Sequence, residues 1–273
     1  YEYDFNDRVS LERIFAGSKT ITFSYEWNPR YGTPGNSGGS STGPNVWRYK
    51  TIESQPDGSQ RTVFANTSGQ TMLSVLQAAP ASGSSSASSG TSPEQWCTFI
   101  EYDDRGRQIR MAMPSAVTGY DENYDDLLHY LPASQKYADL RDYEGLIQIT
   151  EYFTESSSSS SSSGPNASPS GYVKTELIQQ GQLGDRIPLR DFEYTSHSVS
   201  EQTIYPVSKE IRYPDAANLA TTIETSYAYV FHADTNQIAQ QTTTLPDVSS
   251  SQNGLGWNNE REDVYDILGF RTW

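Results

Sequence analysis

The chain has 273 residues, a formal net charge of -15 at pH 7, 34% hydrophobic residues and 12% aromatic ones. So acidic a chain repels nucleic acid and anionic membrane, which both demand a basic surface, and no run approaches the roughly 20 apolar residues of a membrane helix. One cysteine, Cys97, excludes an internal disulfide framework; it sits in a strand-like run and is expected as a buried thiol. A mean hydropathy of -0.68 is low for a dense core, yet the 19 tyrosines suit a thin sheet, because each has an apolar body and a polar tip.

Taken in order, residues 1 to 31 predict a first hairpin. Val9, Leu11 and Ile14 lead into a turn at 15–18, and Ile21, Phe23 and Tyr25 alternate on one face. Residues 32–45 are rich in Gly, Ser and Pro and read as a loop insertion. Trp47 to Ile52, Thr62 to Phe64 and Thr71 to Leu76 follow as strands, and a second Ser/Gly-rich insertion spans about 80–95. Trp96 to Glu101 and Gln108 to Met113 flank a tight turn. An acidic patch at 120–126 comes next, and Leu127 to Leu131 is the one place where a helical turn is expected, ahead of Pro132. Residues 146–153 read as a strand. A serine tract opens the third insertion, about 156–171. Two strands are expected within 172–195 and more within 200–244, and a last insertion covers about 245–256. No composition shift marks a boundary, so one domain over 1–273 is expected.

The turns share a pattern. Tyr102-Asp103-Asp104-Arg105-Gly106-Arg107 reads Tyr-Asp-x-x-Gly-Arg, in which Asp103 can bind turn amides and Gly106 can take positive φ. Tyr3, Asp4 and Arg8 repeat it with Asp7 in the glycine place. Asn66 and Gly69, Asp142 and Gly145, and Tyr265, Asp266 and Gly269 repeat parts of it. Several such turns, each flanked by strand signals, constitute an internal repeat. On these motifs the chain resembles a segment of an RHS/YD-repeat protein, of the kind found in teneurins and toxin-complex shells. The resemblance implies an all-β fold: tandem antiparallel β-hairpins forming a spiralling strip or hollow shell, with Ser/Gly-rich loops. The chain opens inside one repeat and closes just after another, so a longer parent is expected.

Residues that might carry chemistry are few. Asp121, Glu122, Asp125 and Asp126 lack the spacing of a calcium loop. His129, His197 and His232 stand at no metal-ligand spacing. The nearest match to the family's self-cleaving element, Asp266 to Phe270, lacks its proline. Asn66 and Asn166 satisfy the N-glycosylation triplet, and the run Ser156, Ser157, Ser158, Ser159, Ser160, Ser161, Ser162 and Ser163 is a candidate for O-glycosylation. The expectation is a non-enzymatic, extracellular or cell-surface structural protein, a wall or fibre segment with no cofactor or metal. Its expected partners are copies of itself or other segments of its parent, paired through sheet edges, and glycans. The alternatives are a shell enclosing a toxin or other cargo, and an adhesion module binding carbohydrate through Trp47 or Trp257.

Overall fold

The computed structural model describes residues 1–32, 42–80, 94–154, 169–248, 251, 254, 256–257 and 259–273. The regular structure of the described chain is almost wholly antiparallel strand, as the alternating sequence dictates. It divides into two compact units, 1–149 with 179–186, and 150–178 with 187–273.

The first unit holds β1 (Glu2–Tyr3), β2 (Val9–Ile14), β3 (Lys19–Trp27), β4 (Tyr49–Ser54), β5 (Gln60–Ala65), β6 (Thr71–Gln77), β7 (Gln95–Tyr102) and β8 (Gln108–Ala112), each paired with the next. A two-stranded ribbon, β9 (Tyr130–Leu131) with β10 (Lys136–Tyr137), follows. β11 (Leu146–Tyr152) then pairs its first residues with β8.

Register explains where the core lies. Phe64 faces Leu73, Leu73 faces Phe99, Phe99 faces Ala112, and Ala112 faces Ile147. All five are 0% exposed and form one apolar row across five strands. Because side chains alternate with period two, this row commits each strand to one buried face. The segment 113–145 covers that face. Tyr120 packs edge-on to Phe64 at 5.5 Å and Tyr137 to Phe99 at 5.3 Å, while Leu127, Leu128 and Leu140 are buried.

The helical turn expected at Leu127 to Leu131 does not form. Leu127 and His129 take positive φ, 67° and 54°, which no right-handed helix tolerates, and Tyr130–Leu131 is β9. Burial of both leucines at bends, rather than periodicity, sets this segment.

The second unit holds β12 (Val173–Gln180, of which Gln179 and Gln180 belong to the first), β13 (Arg186–Tyr194, of which Arg186 belongs to the first), β14 (His197–Val199), β15 (Gln202–Ile204), β16 (Val207–Arg212), β17 (Ile223–Phe231), β18 (Ile238–Thr244) and β19 (Glu260–Val264). β13, β16, β17, β18 and β19 pair in that order, and β14 with β15 makes a side hairpin. Among its described residues the buried side chains include only one large apolar one, Leu177, besides Thr175, Thr243 and Asp263. Cross-strand contacts take over: Arg190 bonds Glu176 at 2.8 Å, and Tyr172 packs edge-on against Tyr194 at 5.1 Å and Tyr205 at 5.6 Å. This is the thin, tyrosine-rich sheet that the composition calls for.

Candidate functional site

The repeat turns are the site that the sequence singles out, and four of them share one geometry. Asp103 Oδ1 accepts the amides of Arg105 and Arg107, and Oδ2 accepts Arg107 Nε at 2.7 Å. Asp4 does the same with Asn6, Arg8 and Arg8 Nε. Asn66 Oδ1 accepts Ser68 and Gln70, and Asp266 Oδ1 accepts Leu268 and Phe270. In each the fourth residue has positive φ: Asp7 59°, Gly69 78°, Gly106 75° and Gly269 86°. Asp7 fills that place because a short polar side chain tolerates the left-handed region.

A second feature accompanies the turns. Tyr25, Tyr102, Tyr194 and Tyr229 each donate their hydroxyl to the carbonyl of the first residue of the neighbouring strand, respectively Val9, Thr71, Val173 and Val207, at 2.7–2.8 Å. The ties fix strand ends that a short turn leaves free to fray. Burial raises the Tyr102, Tyr194 and Tyr229 phenols above their usual range, so the donors stay protonated. Only Tyr102 stood out in the sequence, because it adjoins an Asp-x-x-Gly turn. The other three tyrosines lack that signal. Tyr3 and Tyr265 make no such tie; Tyr3 is largely exposed, and the Tyr265 carbonyl accepts His232 Nε2.

Asp142 and Gly145 are not a turn of this kind. The Asp142 carboxylate takes Lys136 Nζ at 2.9 Å and Gln182 Nε2 at 3.1 Å. Gly145 is required instead by a close backbone approach, with a Cβ placed there falling 2.3 Å from Ser115 and Ala116 backbone atoms. Conversely, Asp126 does hold the turn amides, Leu128 through Oδ1 and Tyr130 through Oδ2, with His129 in the glycine place. Histidine there hid it from the sequence pattern.

Burial pushes Asp103 upward, but the Arg107 guanidinium and the amides of Arg107 and Arg105 outweigh it and hold the carboxyl below its usual range. Its contribution is therefore complete above the unfolded carboxylate value of about 4 and is lost as pH falls through the lower folded value. Replacing Asp103 by alanine is expected to cost about 1–2 kcal/mol in urea unfolding at pH 7. Asp103→Asn is expected to keep most of that, because Asn66 already performs the same task. The gap between wild type and Asp103→Ala is expected to narrow as pH falls through that lowered value, while the gap between Asp103→Asn and Asp103→Ala stays constant. An equal loss in both variants at pH 7 rules out the amide contacts as the cause.

The acidic patch does not form one cluster. Asp121 Oδ1 caps Asn123, Glu122 pairs with Lys50 at 2.8 Å, and Asp126 serves the turn. Among the described residues no group of three or more His, Cys, Asp or Glu is placed to hold a metal ion. His197 stacks on Phe231 at 3.6 Å and His129 on Tyr124 at 3.8 Å. Cys97 is buried, and burial raises its thiol.

The Asn66 amide nitrogen spends both hydrogens on Pro44 O and Gln70 Oε1, and the residue is 1% exposed. A sugar has no room there, so the folded chain removes Asn66 as an acceptor. Asn166 and the serines 156–163 lie outside the described residues. Trp47, a candidate for glycan contact, is 3% exposed and packs edge-on to Phe64 at 5.4 Å, which removes it too; Trp257 remains exposed. Among the described residues no helix is long and apolar enough to cross a membrane.

No protein-family profile and no curated protein sequence matches the chain. Among solved structures it is similar to TcdB2-TccC3, at 10% identity and a TM-score of 0.23, over 99% of this chain and 15% of that one. It is similar to the Photorhabdus luminescens Tc holotoxin pore at 9% identity and a TM-score of 0.25, over 93% of this chain and 13% of that one. It is also similar to a porin-like protein from Bacteroides uniformis at 7% identity and a TM-score of 0.20, over 78% and 89%. The chain thus spans about 15% of the length of the first of these.

Proposed function

We propose that the chain is a non-enzymatic structural protein, a wall or fibre segment of the RHS/YD-repeat kind that acts outside the cell or at its surface. The observation that carries this reading is the recurrence of one mechanical device. The aspartate or asparagine of a turn closes it from within, and in the first unit a tyrosine of the strand after next pins the strand that the turn at Asp4 or Asn66 opens. Among the acidic side chains, Asp4, Asp103, Asp126 and Asp266 hold backbone amides. Asn45 extends the device by bracketing Tyr102 like a peptide group, accepting its amide at 2.8 Å and donating to its carbonyl at 2.7 Å.

Glycosylation belongs to the same reading, with Asn166 and Ser156 to Ser163 as acceptors. Self-association through strand edges is the expected route to a larger body. Electron microscopy of the purified chain, with an intact-mass spectrum of the same sample, tests all three. Filaments or tubes with mass added in sugar-sized steps support the reading. Isolated hollow particles at the unmodified mass favour the cargo-enclosing shell instead, and a monodisperse 30.4 kDa monomer that never associates counts against both.

A further inference from the structure

A cleft of about 440 Å³ lies on one face of the second unit's sheet, a volume within the range of small-ligand clefts. Register builds it from four neighbouring strands. Arg212 stands opposite Ile223, Glu210 opposite Thr225, Tyr227 opposite Thr243, and Thr243 opposite Arg261. All of them line the cleft. The chain has a net charge of -15, yet this face turns its cations outward. Glu210 Oε1 accepts Arg212 Nε at 2.7 Å, and the glutamate side chain is 12% exposed against 58% for the arginine. The Arg212 guanidinium, helped by Arg190, holds the Glu210 carboxyl below its usual range, so it stays ionised. Asp263 Oδ2 accepts Arg261 Nε at 2.9 Å, and it is buried while Arg261 is largely exposed. The acids hold the guanidinium groups from the buried side, and a ligand arriving from solvent meets the arginines first.

Arg212 makes its hydrogen bond through Nε, and neither terminal nitrogen has one among the described residues. A planar fork fixed at one edge presents its remaining N–H groups together, the pattern that takes a carboxylate by two parallel bonds. The hydroxyls of Thr225 and Tyr227 likewise have no partner among the described residues, and the Gln241 amide donates only to Thr243 Oγ1, at 3.4 Å. Apolar contact is confined to Ile223, Leu245 and Pro246, of which the first two are exposed. This balance selects the body that carries the carboxylate. A ring rich in hydroxyls satisfies the polar wall and lays its C–H groups on the apolar side, whereas an aliphatic chain leaves the polar groups unpaired. We infer that this cleft binds an acidic sugar, with its carboxylate on Arg212 and its hydroxyls on Thr225, Tyr227 and Gln241. The inference stands apart from the wall reading, because it needs the face of the second unit and no association between chains.

Isothermal titration of the full chain in physiological salt tests this, with digalacturonate and N-acetylneuraminate as sugar acids, and the neutral galactobiose, hexanoate and inorganic sulfate as controls. One-to-one binding of a sugar acid is expected, with each control at least about tenfold weaker. Tighter binding of digalacturonate assigns a uronate, and tighter binding of N-acetylneuraminate assigns a sialic acid. Arg212→Gln is expected to weaken the sugar acid at least about tenfold, and Arg212→Lys nearly as much, since an ammonium lacks the fork. Arg13→Gln removes the same charge from the first unit and is expected to change nothing. Tyr227→Phe is expected to weaken binding by a smaller factor, and it keeps the test decisive should the Arg212 variants fold poorly. No heat from either sugar acid at about 10 mM, a control that binds as tightly as the sugar acid, or full affinity in a folded Arg212→Gln overturns the assignment.

Discussion

Replacing Gly145 by alanine is expected to remove at least about 3 kcal/mol of stability. Two costs coincide there. Its φ is +81°, which an L side chain rarely adopts, and its Cβ falls 2.3 Å from backbone atoms of Ser115 and Ala116. Backbone cannot step aside as a flexible side chain can. Gly181 makes the matching approach, with its Cβ position 2.5 Å from the Asp142 carbonyl, and its amide donates to Gly145 O at 2.9 Å. Gly69 supplies the control: φ is +78° but nothing lies within 4 Å, so Gly69→Ala pays the dihedral cost alone, about 1 kcal/mol. Urea midpoints of the two variants separate the effects. A Gly145→Ala loss no larger than that of Gly69→Ala would falsify the crowding argument.

Truncating Phe64 to alanine is expected to cost about 3–5 kcal/mol. The ring is fully buried, touches Trp47 and Tyr120 edge-on, and starts the apolar row that crosses five strands. Little around it can collapse into the space, because the neighbours are in-register strands and rings fixed by their own contacts. Val230, in β17 of the second unit, is 56% exposed. Its replacement by alanine is expected to stay within about 0.5 kcal/mol. Melting curves of both variants decide the matter, and comparable losses would remove the distinction between a packed first unit and a sheet held by cross-strand pairs.

The alternation of apolar and polar residues made the strands legible, and the Asp-x-x-Gly turns were legible because one carboxylate and one positive-φ residue suffice to build them. What failed did so for stated reasons. Asp142 and Gly145 have the right letters, but that glycine serves a close approach to the Ser115 and Ala116 backbone, a long-range fact that no local spacing carries. Asp126 performs the turn task without a glycine. Leu127 and Leu128 look helical in isolation and are instead bent into the core. A cleft lined by Asn45, Glu101 and Asp125 was invisible because those residues are far apart in the chain and meet only in the folded unit. Asn66 satisfies a glycosylation triplet, yet its amide is consumed by Pro44 and Gln70, 22 residues before and four after it.

The closed turns also divide labour between their residues. The first, fourth and fifth positions carry the geometry, and the two central positions supply only backbone to it. Those central pairs differ in all four turns: Phe5-Asn6, Thr67-Ser68, Asp104-Arg105 and Ile267-Leu268. Phe5 and Leu268 stand 93% and 77% exposed at the tips. To an antibody such tips are the readable lettering of the molecule, and they can be rewritten with little effect on the frame that displays them.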